Sequence, residues 1–291
     1  MANFREFSAK LAAMSGMRRV TSTMKMVAAS HLHRAQTELR LPEPFFLQLR
    51  LLSRIARLER FKKHRLCLPP PERNVRILLL VMCSDRGLCG SFNSTVIREV
   101  RLWHKEQTAT RSAQVEALYA GQKGYAALWR EIPPCRKAMD LTAHPHIQET
   151  APVSSFALDG FLAGRYDEVW VAGNRFVSTM VHQTEIRRIL PYDPWRVTGA
   201  VAEQEPVSEI IEPLDDRMLE AIVRQWVHSC VYTAQLNRAA SEQASRVMAM
   251  ENATINLRRM EKELILLRNR ARQAAITNEL TEIVSGAESL G

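Results

Sequence analysis

The sequence predicts an α/β protein in two parts: a Rossmann-like α/β domain in the middle of the chain, and a long helix at each end that must find its partner in the other. Three observations carry this. All 13 prolines of the 291 residues lie between Pro42 and Pro213, together with eight of the 11 glycines, so two breaker-poor ends flank a breaker-rich middle. That middle alternates strand-like and helix-like stretches, as an open, mostly parallel sheet with helices on its faces requires. The pattern from Asp215 onward is helical for about 70 residues, on the order of 100 Å at 1.5 Å per residue. A helix that long cannot be covered by a middle domain of ordinary size. The expected segments are 1–65, 72–212 and 213–291.

The first helix is predicted from about Phe4 to Leu41. Apolar or small residues recur in steps of three and four at Leu11, Met14, Met17, Thr21, Met24, Ala28, Leu32, Ala35 and Leu39. Pro42 and Pro44 interrupt it, and a second basic helical piece over 45–63 follows before Pro69, Pro70 and Pro71. Val75 to Cys83 is an apolar run of buried-strand length, and Asp85-Arg86-Gly87 reads as the turn after it. Further helices are expected over about Ser91–Gln107, Gly121–Glu131 and Ser154–Ala163. Further strands are expected at Gln114–Tyr119, at Glu168–Ala172 and within Phe176–Leu190. In the last helix Leu257, Met260, Leu264, Leu267, Ala271 and Ala274 step 3-4-3-4-3, a heptad seam. Upstream the seam is small (Ala239, Ala240, Ala244, Ala253), which lets two helices approach closely.

Composition narrows the function. The longest unbroken apolar run, Ile77 to Cys83, falls well short of the roughly 20 residues of a spanning helix. The net charge of +9 is concentrated in residues 1–65, where 14 Lys and Arg face four Asp and Glu. That end should either seek an acidic surface or present a solvated basic face. A nucleic-acid partner would call for interleaved aromatics or a recognition motif, and the segment has neither. Five cysteines without C-x-x-C spacing fit a reducing compartment, and no metal-ligand spacing accompanies them. Neither G-x-x-x-x-G-K-[ST] nor G-x-G-x-x-G occurs, so an enzyme built on a dinucleotide or P-loop cradle lacks its phosphate site.

Four blocks then carry a resemblance: Thr23-Met24-Lys25-Met26-Val27-Ala28-Ala29-Ser30 with Arg34-Ala35-Gln36; Ser84 to Gly90; Ser241 to Met250 with Asn252-Ala253-Thr254; and Arg270 to Ala287. In this order they resemble the gamma subunit of F-type ATP synthases. The resemblance implies that the terminal helices wind into an antiparallel coiled coil, the central rotor shaft, inside a ring of catalytic and non-catalytic subunits. It also implies no catalytic site, cofactor or metal of its own. The implied partners are the alpha3-beta3 catalytic hexamer, the epsilon (or delta) stalk subunit and the c-ring of the membrane sector, with neither nucleic acid nor membrane insertion. The implied location is peripheral, on the cytoplasmic face of a bacterial plasma membrane. Met1 leading straight into the first helix favours this over the matrix face of the mitochondrial inner membrane.

The resemblance assigns roles residue by residue. Met24, Lys25, Arg246, Gln273, Thr277 and Glu279 match positions of rotor–stator coupling contact. Met24 reads equally as a seam residue, and Gln273, Thr277 and Glu279 as solvated helix surface. Arg18, Arg19 and Arg34, with Lys25, are expected to form a cationic shaft face. Asp85, Arg86 and Gly87 are expected to make a tight foot-domain turn, with Arg86 toward the rotor ring, rather than an anion site on the Gly87–Gly90 amides. Leu280, Ile283, Val284 and Leu290 would supply an apolar tip. Pro42–Pro44 and the basic residues Arg258, Arg259, Arg268, Arg270 and Arg272 depart from the family pattern.

Overall fold

A computed structural model describes residues 2–39, 61, 63–135, 145–193 and 215–288. The break expected at Pro42–Pro44 lies outside the described residues, as do Leu290 and all of the basic piece over 45–63 except Phe61 and Lys63. The elements are α1 (Ala2–Leu39), β1 (Arg76–Met82), α2 (Phe92–Arg111), β2 (Gln114–Ala120), α3 (Gln122–Leu128), α4 (Ile147–Leu162), β3 (Glu168–Phe176), β4 (His182–Leu190) and α5 (Asp216–Glu288). They divide into two compact units, residues 1–28 with 246–291, and residues 29–245. These units cut across the segments 1–65, 72–212 and 213–291, because α1 and α5 each contribute to both.

The larger unit is built on a four-stranded sheet of order β2-β1-β3-β4. β1 pairs in parallel with both β2 and β3, and β4 closes one edge antiparallel to β3. Central β1 is buried on both faces, which is why it reads as a continuous apolar run. Leu78, Leu80, Met82, Val169, Val171 and Ile189 face α4 and the first turns of α5, where Leu219, Val223, Val227 and Val231 complete one core layer. Ile77, Leu79, Val81, Val115 and Tyr119 face α2 and α3, where Val96, Val100, Trp103 and Leu128 complete the other. The result is a three-layer sandwich. Glu168 opens β3 fully buried, and its carboxylate takes two bonds from Arg111 at 2.9 and 3.1 Å and one from the Trp170 indole at 2.7 Å.

Of the boundaries that differ from expectation, two have local reasons. α4 begins at Ile147, seven residues before Ser154, and so contains Pro152. Glu149 accepts from the His146 N–H at 3.4 Å in a first-turn cap, which starts the helix upstream of the proline. β3 runs on to Phe176 and a turn separates it from β4, so the β-branched region Phe176–Leu190 is the end of β3, a turn and β4 rather than one strand.

The helices α1 and α5 meet within the larger unit through small side chains. Ala35, Ala240 and Ala244 are almost wholly buried together with Leu32, and Leu39 and Phe176 pack against them. Alanine at these positions is what allows the close approach.

Candidate functional site

All six residues matched to coupling contacts fall in the smaller unit, where the N-terminal part of α1 packs on the C-terminal part of α5. The covered stripe of α1 runs through Leu11, Met14, Arg18, Thr21, Lys25 and Ala28, in alternating steps of three and four. That of α5 runs through Met250, Thr254, Leu257, Glu261, Leu264, Arg268, Ala271 and Ala275. The seam read from apolar periodicity is therefore half right. Leu257, Leu264 and Ala271 belong to it, but Met260, Leu267 and Ala274 are exposed, and Glu261, Arg268 and Ala275 take their places. Met17 is likewise exposed and Arg18 stands in the stripe instead.

The reason is electrostatic. Either row beside Leu257 and Leu264 satisfies helical spacing, but only the Glu261 row brings a carboxylate to Arg18 of α1. Arg18 Nε donates to Glu261 at 3.2 Å, and the Thr21 and Thr254 hydroxyls lie 2.9 Å apart. Lys25 Nζ donates to Glu251. These three cross-coil contacts fix the antiparallel register, since a slip of one residue would break all of them. Both ion pairs are about one-third exposed on the basic side, so each contributes no more than about 1 kcal/mol. Their effect is on register more than on stability.

The remaining matched residues are placed as follows. Met24 and Arg246 are half-buried; Gln273, Thr277 and Glu279 are exposed. The Thr277 hydroxyl donates to the Gln273 carbonyl at 3.0 Å, which joins these two as neighbours on one helical face. Arg18 and Lys25 do not share a face with Arg19: the first two point across the coil and Arg19 points out. Arg34, in the larger unit, is exposed. Around the covered stripe the coil leaves large apolar side chains in the open, with Met17 and Val20 on α1 and Leu266, Ile276, Leu280, Ile283 and Val284 on α5, each 49% exposed or more.

The second candidate is the turn after β1, within the larger unit. Ser84 is buried; its N–H donates to Asn93 Oδ1 at 3.0 Å and its hydroxyl to the Arg86 carbonyl at 2.7 Å. Asn93 Nδ2 donates back to Ser84 Oγ at 2.8 Å, tying the turn to the first turn of α2. Asp85 Oδ1 accepts from the Gln122 N–H at 2.9 Å, which binds the same turn to α3. Leu88 and Gly90 adopt positive φ, while Arg86, Gly87 and Leu88 face outward. The arrangement is a braced strand-to-helix turn. Sequence reading overlooked Asn93, Glu251 and Glu261 and gave Thr254, quoted only within a matching block, no contact, because each is a polar residue judged alone. The signal that could have found Glu251 and Glu261 is the acid-to-base match between two stripes of opposite direction.

Four of the five thiols are held in the protonated form by burial. Burial pushes Cys83 and Cys230 up to about 12, and Cys67 and Cys135 up to about 11. Among the described residues no cluster of three or more His, Cys, Asp or Glu could hold a metal ion. Nor is any described helix long and apolar enough to cross a membrane.

A family model described as ATP synthase matches residues 3–290. The chain is 31% identical over 293 residues to the ATP synthase gamma chain of Chloroflexus aurantiacus, covering 100% of this chain and 99% of that one. It is 32% identical over 296 residues to the gamma chain of Xanthomonas campestris, covering 100% of both. Its fold is similar to a chain of the Tetrahymena thermophila mitochondrial ATP synthase central stalk and c-ring structure. The TM-score is 0.61 at 28% identity, over 80% of this chain and 99% of that one. A chain of the Euglena gracilis enzyme shares the fold at a TM-score of 0.67 and 16% identity, over 99% and 95% of the two.

Proposed function

The chain belongs to the ATP synthase gamma-chain family, a component of the enzyme's central stalk, and from this premise we propose that it is the rotor shaft that couples turning of a membrane ring to the catalytic hexamer. In this reading the chain performs no chemistry. Its asymmetry drives the nucleotide sites of the surrounding subunits through different states in turn. The observation that carries the reading is the smaller unit. Two helices are pinned in register by polar contacts, and their outer surface mixes exposed apolar, polar and charged side chains. A surface of that kind suits repeated, shallow contact, since apolar contact is non-directional and permits turning.

Within this reading Met24, Arg246, Gln273, Thr277 and Glu279 meet the hexamer, and Arg19 and Arg34 offer outward positive charge to acidic stator loops. Arg18 and Lys25 act across the coil, holding its register. Arg86, exposed on a turn that Ser84, Asp85 and Asn93 brace, is available to a neighbouring rotor subunit. The proposed partners are the alpha3-beta3 hexamer, the epsilon (or delta) stalk subunit and the c-ring. The location is peripheral on the cytoplasmic face of a bacterial plasma membrane, in keeping with the bacterial gamma chains that match it over their full length. Co-expression with the hexamer tests this. The chain should co-purify in single copy and occupy the central density of the particle; a monomeric chain that never enters the particle would refute it.

A further inference from the structure

Within the larger unit a cleft of about 110 Å³ opens between α5 and the β3–β4 edge of the sheet. Its floor is one face of the sheet. Val171, Gly173 and Arg175 alternate onto it from β3, and Glu185 and Arg187 from β4, with Gly173 opposite Glu185 and Val171 opposite Arg187. Its wall is the Thr233, Ala234 and Asn237 face of α5. Nearer the start of β3 the same interface is wholly apolar, with Val169, Val171 and Ile189 against Val227, Cys230 and Val231. The cleft is where its chemistry changes. A side chain at Gly173 would bring its Cβ to 2.9 Å from the Met82 Cβ, so glycine both avoids that clash and leaves the hollow open. A water needs roughly 10–15 Å³ on this measure, so the cleft has room for several waters or one small polyatomic ion.

The polar groups around it are mostly donors. The Thr233 hydroxyl oxygen is buried without a hydrogen-bond partner. Asn237 is held rigidly: its Oδ1 accepts from the Phe176 N–H at 2.9 Å and its Nδ2 donates one proton to the Thr233 carbonyl at 2.9 Å. That leaves its second amide proton to spare. Arg175 uses one N–H on Gln183 at 3.2 Å and keeps the rest. Arg187 enters none of the ion pairs among the described residues. Glu185 is the one acidic group in the lining, and it is exposed. Two guanidinium groups, a hydroxyl and an amide against one carboxylate leave the cleft with a net charge of about +1.

We propose that this cleft is an oxyanion-binding site, taking a carboxylate or phosphate group on Arg187, Arg175 and the Thr233 hydroxyl. The guanidinium fork matches the paired oxygens of either group, and a buried hydroxyl without a partner is costly until something bonds to it. Glu185 lowers the charge and keeps the ligand exchangeable. The oxyanion has two possible sources, a free small anion or an acidic side chain of a neighbouring subunit. The inference does not depend on the rotor reading.

The test is calorimetric titration of the full chain with inorganic phosphate and with acetate, at constant ionic strength set with chloride. Saturable binding in the millimolar range is expected. It should weaken at least tenfold in Arg187→Gln and severalfold in Thr233→Val, with Arg187→Lys intermediate because charge is kept and the fork lost. Thr233→Val preserves shape, so it still decides the matter if Arg187→Gln folds poorly. Repeating the titration on the assembled complex separates the sources. Binding that persists there marks a free anion, and binding that disappears marks a partner's acidic side chain already seated. No saturable binding by the wild-type chain, or equal binding by wild type and both variants, overturns the proposal.

Discussion

Ala240→Leu tests whether the two terminal helices must approach as closely as they do. Ala240 is fully buried with Ala244, against Ala35 and Leu32. Three added carbons have nowhere to go, and overpacking a filled interface costs about 1–3 kcal/mol. If α1 moves away instead, Leu32 loses its burial, worth about 1.5–3 kcal/mol for a full leucine side chain. Either route predicts a loss of about 2–3 kcal/mol. Urea unfolding of the full chain measures it, and the midpoint should fall with little change in slope, because the surface exposed on unfolding hardly changes. In the assembled enzyme the variant should hydrolyse ATP while pumping fewer ions per ATP. A variant as stable as the parent would show that Ala240 is not a close-contact site, and the packing argument would fail.

Further outcomes follow from the same geometry. Arg18→Glu should set two carboxylates against each other across the coil and weaken ion pumping per ATP. Adding Glu261→Arg should restore it, whereas Arg19→Glu should change coupling without changing the unfolding midpoint. Gly121→Ala should cost about 3–5 kcal/mol by urea unfolding, from backbone strain and overpacking together. Its φ is +107° and a Cβ there would lie 2.5 Å from the Cys83 carbonyl oxygen. Stability should also fall between pH 7 and 5. Burial lowers His104, with Glu131 opposing, and burial lowers His182. The unfolded chain therefore takes up protons below about 6.5 that the folded chain resists. The stabilisation is complete above that pH and is lost as pH falls toward the folded values. The double variant H104Q/H182Q should flatten the melting temperature across this window, well above the range where carboxylates such as Asp167 begin to protonate.

How much of this the sequence discloses depends on whether one residue or a pair carries the information. β1 is legible because a strand buried on both faces must be apolar throughout, and Ile77 to Cys83 can hardly be anything else. The absence of proline and the scarcity of glycine at both ends are legible for an equally simple reason: a proline inside α1 or α5 would interrupt a long helix, and each glycine there weakens it. The seam is only half legible, because Leu257 and Leu264 are flanked by two rows of equal periodicity and the choice between them is made by Arg18 on another helix, through Glu261. The turn after β1 is recognisable from Asp85-Arg86-Gly87, but its brace is Asn93, which looks like any polar residue of a first helical turn. The cleft is illegible beforehand. It exists because Gly173, Arg187 and Thr233, 60 residues apart at their extremes, meet across a sheet face.

The central claim is that this chain turns. Glu106 is exposed on α2, and a cysteine placed there would react well ahead of the five native thiols, of which Cys83, Cys89 and Cys230 are buried and Cys67 and Cys135 half-buried. A probe on Glu106→Cys, followed in single immobilised hexamers during ATP hydrolysis, should rotate stepwise in one direction and stop when ATP is removed. Hydrolysis that proceeds while the probe stands still, or while it tumbles without direction, would contradict the account.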